Sequence, residues 1–172
     1  ARTGLQFARG VPVRAPEANL DLQVVEDTQL PVLRIKLHGF HVQADEARAA
    51  IDEGMTFFDN AWDYHRGRSE EVMGKALAES GRRQKAFLMT KVCDRDYQCA
   101  KQALEDSLGR LKTDYLDLWQ FHEINWSIDA EWLFEKGGIK AALEAREEGK
   151  VRYIGFTGHR ATAHHLKTLN QP

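Results

Sequence analysis

The strongest constraint in this 172-residue chain is a repeated pattern: a short apolar run ends in a polar residue, and a helix-like segment follows. The runs are Thr56–Asp59 (TFFD), Ala86–Lys91 (AFLMTK), Tyr115–His122 (YLDLWQFH) and Val151–Thr157 (VRYIGFT). Each is short, aromatic or β-branched, and bounded by turn residues, so each reads as a buried strand. The terminal polar residues are evenly spaced: 32 residues from Asp59 to Lys91, 31 on to His122 and 35 on to Thr157. A strand–helix–strand unit needs about 30 residues. Alternation at that period predicts a parallel sheet with right-handed crossovers. The four polar residues then share the carboxyl end of the strands, where α/β folds gather ligands. Leu33, Ile35 and Leu37 alternate with Arg34, Lys36 and His38, which adds a first strand with one polar face. The reading is α/β, a parallel (β/α) barrel type of about five units over residues 35–172. Residues 1–34 form an N-terminal segment or hairpin cap, with a single domain overall.

The intervening segments carry helix punctuation. Asp45 is expected to cap a helix that Gly54 closes. Ser69 is expected to cap the next, with Glu70 and Glu71 in its first turn and Gly81 at its end. Asp96 caps a third helix through Leu111. Residues 129–148 form a helical stretch broken near Gly137-Gly138 and closed by Gly149, and a last helix covers 161–169.

Composition narrows the function classes. Apolar residues make up 42% and charged residues 29%, within the globular range. A net charge of −2 gives no basic face for nucleic acid. The longest stretch without Asp, Glu, Lys or Arg runs only from Leu37 to Ala44, too short to span a bilayer as a helix. The first residues lack the apolar core of a signal peptide. Cys93 and Cys99 make neither a disulfide framework nor a common zinc pattern, so reduced thiols and a cytoplasmic location are expected.

The chemistry sits at the strand ends. Tyr64 follows Asp59 by five residues, in the loop after that strand. A phenol with an ordinary pKa of about 10 is a poor proton shuttle near neutrality. An ammonium beside it lowers that value, and Lys91 at the end of the next strand can supply one. Asp59 can hold Lys91 as a cation. His122, one strand further, can donate a hydrogen bond to a carbonyl oxygen. Together they offer an oxyanion site and a proton donor, as hydride addition to an aldehyde or ketone requires. Taken singly, each is more often structural than catalytic; the case rests on four compatible groups at consecutive strand ends.

These residues also carry a resemblance. Gly54–Leu77 (GMTFFDNAWDYHRGRSEEVMGKAL) is similar to the signature of the aldo-keto reductases, and Thr113–His122 (TDYLDLWQFH) and Glu147–His159 (EEGKVRYIGFTGH) are similar to later strands of that family. The resemblance covers residues 37–172. It implies a catalytic tetrad of Asp59, Tyr64, Lys91 and His122. Tyr64 would be the general acid, Lys91 its pKa tuner, Asp59 the partner of Lys91, and His122 the orienter of the carbonyl. It implies NADPH as cofactor, with NADH left open, and a small-molecule carbonyl substrate. Gly39 and Phe40 match the turn near the nicotinamide, and Asp59 also borders it. Thr157 and Gly158 stand where the family has a Ser-Asn pair on the carboxamide, although Gly158 has no side chain to bond.

Further residues have both a functional and a plain reading. Phe40, His41, Trp62 and Trp126 are candidates for an apolar pocket mouth or for packing. His159, His164 and His165 lie close together without a standard metal pattern, so no metal is expected. Cys93 is expected to pack, and Asp117 and Gln120 are expected in a polar interior layer of a barrel.

A complete (β/α)₈ barrel takes about 250 residues. The five units here leave out the last strands, whose loops hold the cofactor phosphates in this family. An open sheet of that curvature exposes edges, so self-association is an expected way to cover them. The alternative to a reductase is a non-catalytic interaction module, or a fragment, that retains the scaffold. A barrel hydrolase using an Asp–His pair is a weaker third reading, because no metal-ligand spacing or nucleophile elbow accompanies it.

Overall fold

The computed structural model describes residues 43–171 and the backbone of 34–36. The chain runs β1 (Arg34–Lys36), α1 (Ala44–Asp52), β2 (Phe57–Asp59), a 3₁₀ turn (Tyr64–Gly67) and α2 (Arg68–Leu77). It continues with α3 (Arg82–Lys85), β3 (Phe87–Val92), α4 (Tyr97–Leu111) and β4 (Leu116–Phe121). It ends with α5 (Ser127–Glu135), α6 (Gly138–Glu147), β5 (Val151–Phe156) and α7 (Thr162–Leu169). The five strands form one sheet in sequence order, and every neighbouring pair is parallel. This is the partial barrel architecture that the spacing predicts. The expected hairpin or cap at 1–34 lies outside the described residues except for Arg34, which is in β1.

Strand alternation divides the sheet into two faces. Phe58, Leu88, Val92, Trp119 and Phe121 point toward the helices and join Ile51, Met73, Leu77, Leu104, Leu111 and Leu133 in the core. Helices α2 and α4 meet closely at Gly74, where an added Cβ would lie 2.1 Å from the Arg110 carbonyl oxygen. The opposite face carries an aromatic row, with Phe57 and Phe87 stacked at 5.2 Å and Phe87 and Tyr153 at 6.4 Å. Tyr153 is 61% exposed on this face.

Several boundaries follow the sequence signals. Asp96 caps α4 by accepting from the Gln98 and Cys99 amides at 2.9 and 3.2 Å. The break at Gly137 separates α5 from α6, with Gly137 at φ +83°. Two expected caps are corrected. Helix α1 is preceded by Gln43, whose amide donates to the Glu46 carboxylate at 3.0 Å, and Asp45 lies within the first turn. Helix α2 is preceded by left-handed Gly67, while the Ser69 hydroxyl is drawn to Asn60 Oδ1 at 2.8 Å. The expected joint placement of Asp117 and Gln120 is also corrected. They are an odd number of residues apart on β4, so they face opposite ways, and only Gln120 shares the face of Lys91. Among the described residues, no helix is long and apolar enough to cross a membrane.

Candidate active site

The register explains how residues from four strands meet. Asp59 is level with Met89, so Lys91 stands two residues higher on β3. Lys91 is level with Gln120, so His122 stands two residues above Gln120. Gln120 is level with Gly155, so Thr157 is level with His122. Steps of two keep every one of these side chains on the same face. The result is a rising staircase across the carboxyl end, as the stagger of barrel strands requires.

At its centre the Lys91 ammonium is paired with Asp59 and also donates to the Asn60 carbonyl at 2.6 Å. Both charged side chains are buried. Burying an ion pair is tolerable when its remaining hydrogen bonds are satisfied, and the Asn60 carbonyl contributes one of them. The ammonium lies 4.7 Å from the centre of the Tyr64 ring, within cation–π range. Tyr64 meets the His122 ring edge-on at 5.9 Å, and His122 meets His159 edge-on at 6.3 Å. The four predicted tetrad residues are therefore adjacent, and His159 joins them.

The loop carrying Tyr64 is held from both sides. Asn60 and Trp62 donate their amides to the Met89 and Lys91 carbonyls, at 3.1 and 2.9 Å. Arg110 on α4 donates to the Trp62 carbonyl at 3.0 Å and pairs with buried Glu70 at 3.3 Å. After Tyr64, His65 and Arg66 both adopt positive φ, at +52° and +58°. Two successive non-glycine residues in the left-handed region carry strain, and the surrounding contacts must hold it.

Electrostatics poise the two titratable rings oppositely. Burial, followed by the charges of Asp59 and Asp63, pushes the Tyr64 phenol well above its ordinary range. This runs against the expectation that Lys91 lowers it. The physical reason is that Asp59 sits in the same cluster as Lys91, while burial itself disfavours the phenolate. Tyr64 is accordingly a protonated phenol near neutrality. Burial, followed by the nearby Lys91 charge, pushes His122 below its ordinary value, which favours the neutral imidazole.

Level with His122 at the end of the neighbouring strand, Thr157 Oγ1 lies 2.7 Å from His122 Nδ1 and accepts the Glu123 amide at 3.2 Å. Gly158 is pressed against its neighbours: an added Cβ would lie 2.2 Å from His165 Nε2 and 2.5 Å from the Ile124 carbonyl oxygen. His165 Nε2 is buried without a hydrogen-bond partner, as are Asn60 Nδ2 and Gln120 Oε1. Gly39, Phe40 and His41 lie outside the described residues.

The remaining candidates separate. Trp62 is half-buried and directed to α4, donating from Nε1 to Asp106 at 3.3 Å. Trp126 is 55% exposed, with the Arg160 guanidinium 3.9 Å over its ring. Cys93, expected to pack, is exposed instead, because it follows β3 on the open rim, where its thiol is 3.9 Å from Asp63. Among the described residues, no group of three or more His, Cys, Asp or Glu could hold a metal ion. Sequence reasoning missed Arg95, which donates to the carbonyls of His122 at 2.8 Å and Glu123 at 3.1 Å. In the run CDRD it looks like part of a solvated loop, and nothing local marks its reach across to the next strand.

Comparison with known proteins bears on the same residues. The model of the aldo/keto reductase family matches residues 41–169. The chain is 37% identical over 120 residues to the aldo-keto reductase YhdN of Bacillus subtilis, covering 64% of this chain and 35% of that protein. It is 41% identical over 112 residues to the methylglyoxal reductase YeaE of Escherichia coli, covering 64% of this chain and 37% of that protein. Among solved structures, an aldo/keto reductase of Klebsiella pneumoniae in complex with NADP and acetate superposes with a TM-score of 0.64 at 30% identity. That match covers 76% of this chain and 44% of the other. The holo form of the aldo-keto reductase AKR11C1 of Bacillus halodurans gives 0.62 at 30% identity, covering 84% and 52%. The chain thus spans well under two thirds of each of these relatives. With a family match over most of its length and the same fold at 30% identity, the chain belongs to the aldo/keto reductase family.

Proposed function

We propose that this chain carries the proton-handling end of an NADPH-dependent reductase of small aldehydes or ketones, with Tyr64 as general acid. The observation that carries the reading is the buried Lys91–Asp59 pair beneath the Tyr64 ring, with His122 in edge contact on the other side. NADPH, when bound, supplies the hydride. A substrate carbonyl oxygen approaching Tyr64 and His122 would meet two neutral hydrogen-bond donors. His122 orients that oxygen, and Tyr64 passes its phenolic proton to it as negative charge develops. A phenol kept protonated by burial is suited to this direction of transfer, since the developing alkoxide is the far stronger base. Lys91 stabilises the phenolate left behind, and Asp59 keeps Lys91 charged and in place.

The rim fits the reacting end of a nicotinamide. Gln120 Oε1, on the strand face that carries Lys91 and His122, is buried without a partner, and a carboxamide carries N–H donors that suit it. Asp59, Thr157 and Gly158 border the position proposed for the ring; Gly39 and Phe40, which the resemblance also implies, lie outside the described residues.

The test is a titration of the purified chain with NADPH, following quenching of its four tryptophans with light scattering on the same sample. Saturable binding in the micromolar range, with NADH as comparison, supports the reading and leads to a screen of carbonyl substrates. No binding at millimolar cofactor overturns it for this chain and favours a non-catalytic module that keeps the scaffold.

A further inference from the structure

We infer that Thr157 is a positioning residue that fixes His122 as the Nε2–H tautomer, so that its side chain serves the histidine rather than the cofactor. The argument is a count of lone pairs and protons. A threonine hydroxyl has one proton to donate and two lone pairs to accept with. The Glu123 amide, at 3.2 Å from Thr157 Oγ1, occupies one lone pair. Glu123 stands at φ +60°, in the left-handed region, so the chain bends sharply where its N–H meets the hydroxyl. Arg95 holds this bend by donating to the carbonyls of His122 and Glu123 together.

His122 Nδ1 lies 2.7 Å from the same oxygen. If Nδ1 carried the proton, both lone pairs of Thr157 would be filled and its own proton would need another acceptor. Among the described residues, nothing else bonds this hydroxyl. If instead Nδ1 accepts the Thr157 proton, the hydroxyl and Nδ1 satisfy each other within the cluster, with no call on solvent. The second arrangement leaves the imidazole proton on Nε2, the only ring nitrogen still able to donate. In a neutral histidine the partner of one nitrogen decides the proton on the other. A valine at 157 would keep the shape and remove the donor. Nδ1 would then lose the bond that keeps it unprotonated.

The tautomer itself does not depend on the proposed reductase activity; only its use, aiming a donor at a carbonyl oxygen, rests on that reading. The experiment is long-range ¹H–¹⁵N correlation of the histidine rings in the ¹⁵N-labelled chain near neutral pH. The His122 signals are assigned by their disappearance in His122→Asn. In the wild-type chain, His122 is expected to show an unprotonated, pyridine-type Nδ1 and a protonated, pyrrole-type Nε2. Thr157→Val should convert this to a mixture or to the opposite tautomer, and Thr157→Ser should restore it. A wild-type spectrum with the proton on Nδ1 overturns the inference, and so does an unchanged tautomer in a folded Thr157→Val variant. If Thr157→Val does not fold, Thr157→Ala, which also removes the hydroxyl, takes its place with the same two outcomes. The expected tautomer in a chain that fails to bind NADPH would sink the proposed function and leave this inference standing.

Discussion

The two ends of the parallel sheet use the same ingredients for different purposes. At the amino end, Asp117 on β4 accepts from Arg83 and from the Leu88 amide, both at 2.9 Å, and from Arg152 at 2.7 Å. The two guanidiniums also lie over the Tyr115 ring, at 3.8 and 4.4 Å. The cluster ties α3 to the starts of β3, β4 and β5, and its carboxylate is fully engaged. At the carboxyl end, the Asp59–Lys91 pair lies under the Tyr64 ring, which meets His122 edge-on and is followed by a strained turn, and Gln120 Oε1 on the same face is buried without a partner. A carboxylate ringed by donors is a lock. A buried pair with an unpartnered acceptor on the same face fits the proposed binding of another molecule. Under the proposed function, stability belongs to the first end and chemistry to the second, a division that parallel barrels follow in general.

Mutations can break or sharpen that contrast. The largest effect is expected for Tyr64→Phe, which should lower turnover of a carbonyl substrate by roughly 10²- to 10⁴-fold while NADPH affinity and the urea midpoint hold. Equal loss of binding and turnover would move Tyr64 out of the acid role. Asp117→Ala should do the reverse. It leaves the buried Arg83 without its anion and costs about 3 kcal/mol in urea unfolding, with cofactor affinity of the folded fraction unchanged. A loss confined to activity would erase the distinction between the two ends. Gly158→Ala is expected to cost about 1–3 kcal/mol, because its Cβ meets both the His165 ring and the Ile124 carbonyl. Adding His165→Ala should recover only part of this, since the backbone contact remains.

The smallest effect is a pH slope. His122 has a native pKa below its unfolded value of about 6.5, so the unfolded chain binds the proton first as pH falls. Its contribution to stability is therefore present above about pH 6.5 and lost on acidification toward the native value, by at most about 1.4 kcal/mol per pH unit. Wild type and His122→Asn should diverge only in that window, and parallel stability curves would show that His122 is not buried as a neutral ring. Glu70 gives the opposite slope. Burial raises its carboxyl despite the bonds from Thr90 and Arg110, so ionising it costs stability as pH rises above about 4.5.

Much of this was legible from the sequence because strand ends repeat at a fixed spacing. Asp59, Lys91, His122 and Thr157 each close an apolar run, and the length of one strand–helix unit forces them to one end of a parallel sheet. The cap at Asp96 and the break at Gly137 were legible for the same local reason. The caps at Gln43 and Gly67 were not, because the more typical capping residues beside them, Asp45 and Ser69, play other parts. Ser69 is drawn off by Asn60 across the core, a contact with no local signal. Arg95 and the Thr157–His122 bond are long-range in the same way, 27 and 35 residues apart.

The sequence by itself determined the alternation of strands and helices, the parallel order and the four polar groups on one rim, since these depend on periodicity and spacing. Only the tertiary structure decided what state those groups are in. The stagger of the strands sets which side chains touch, burial and the nearby Asp59 charge hold the Tyr64 proton, and a hydroxyl two strand ends from Lys91 turns to His122. Protonation and hydrogen bonding depend on the environment in three dimensions, and that environment exists only once the strands are paired.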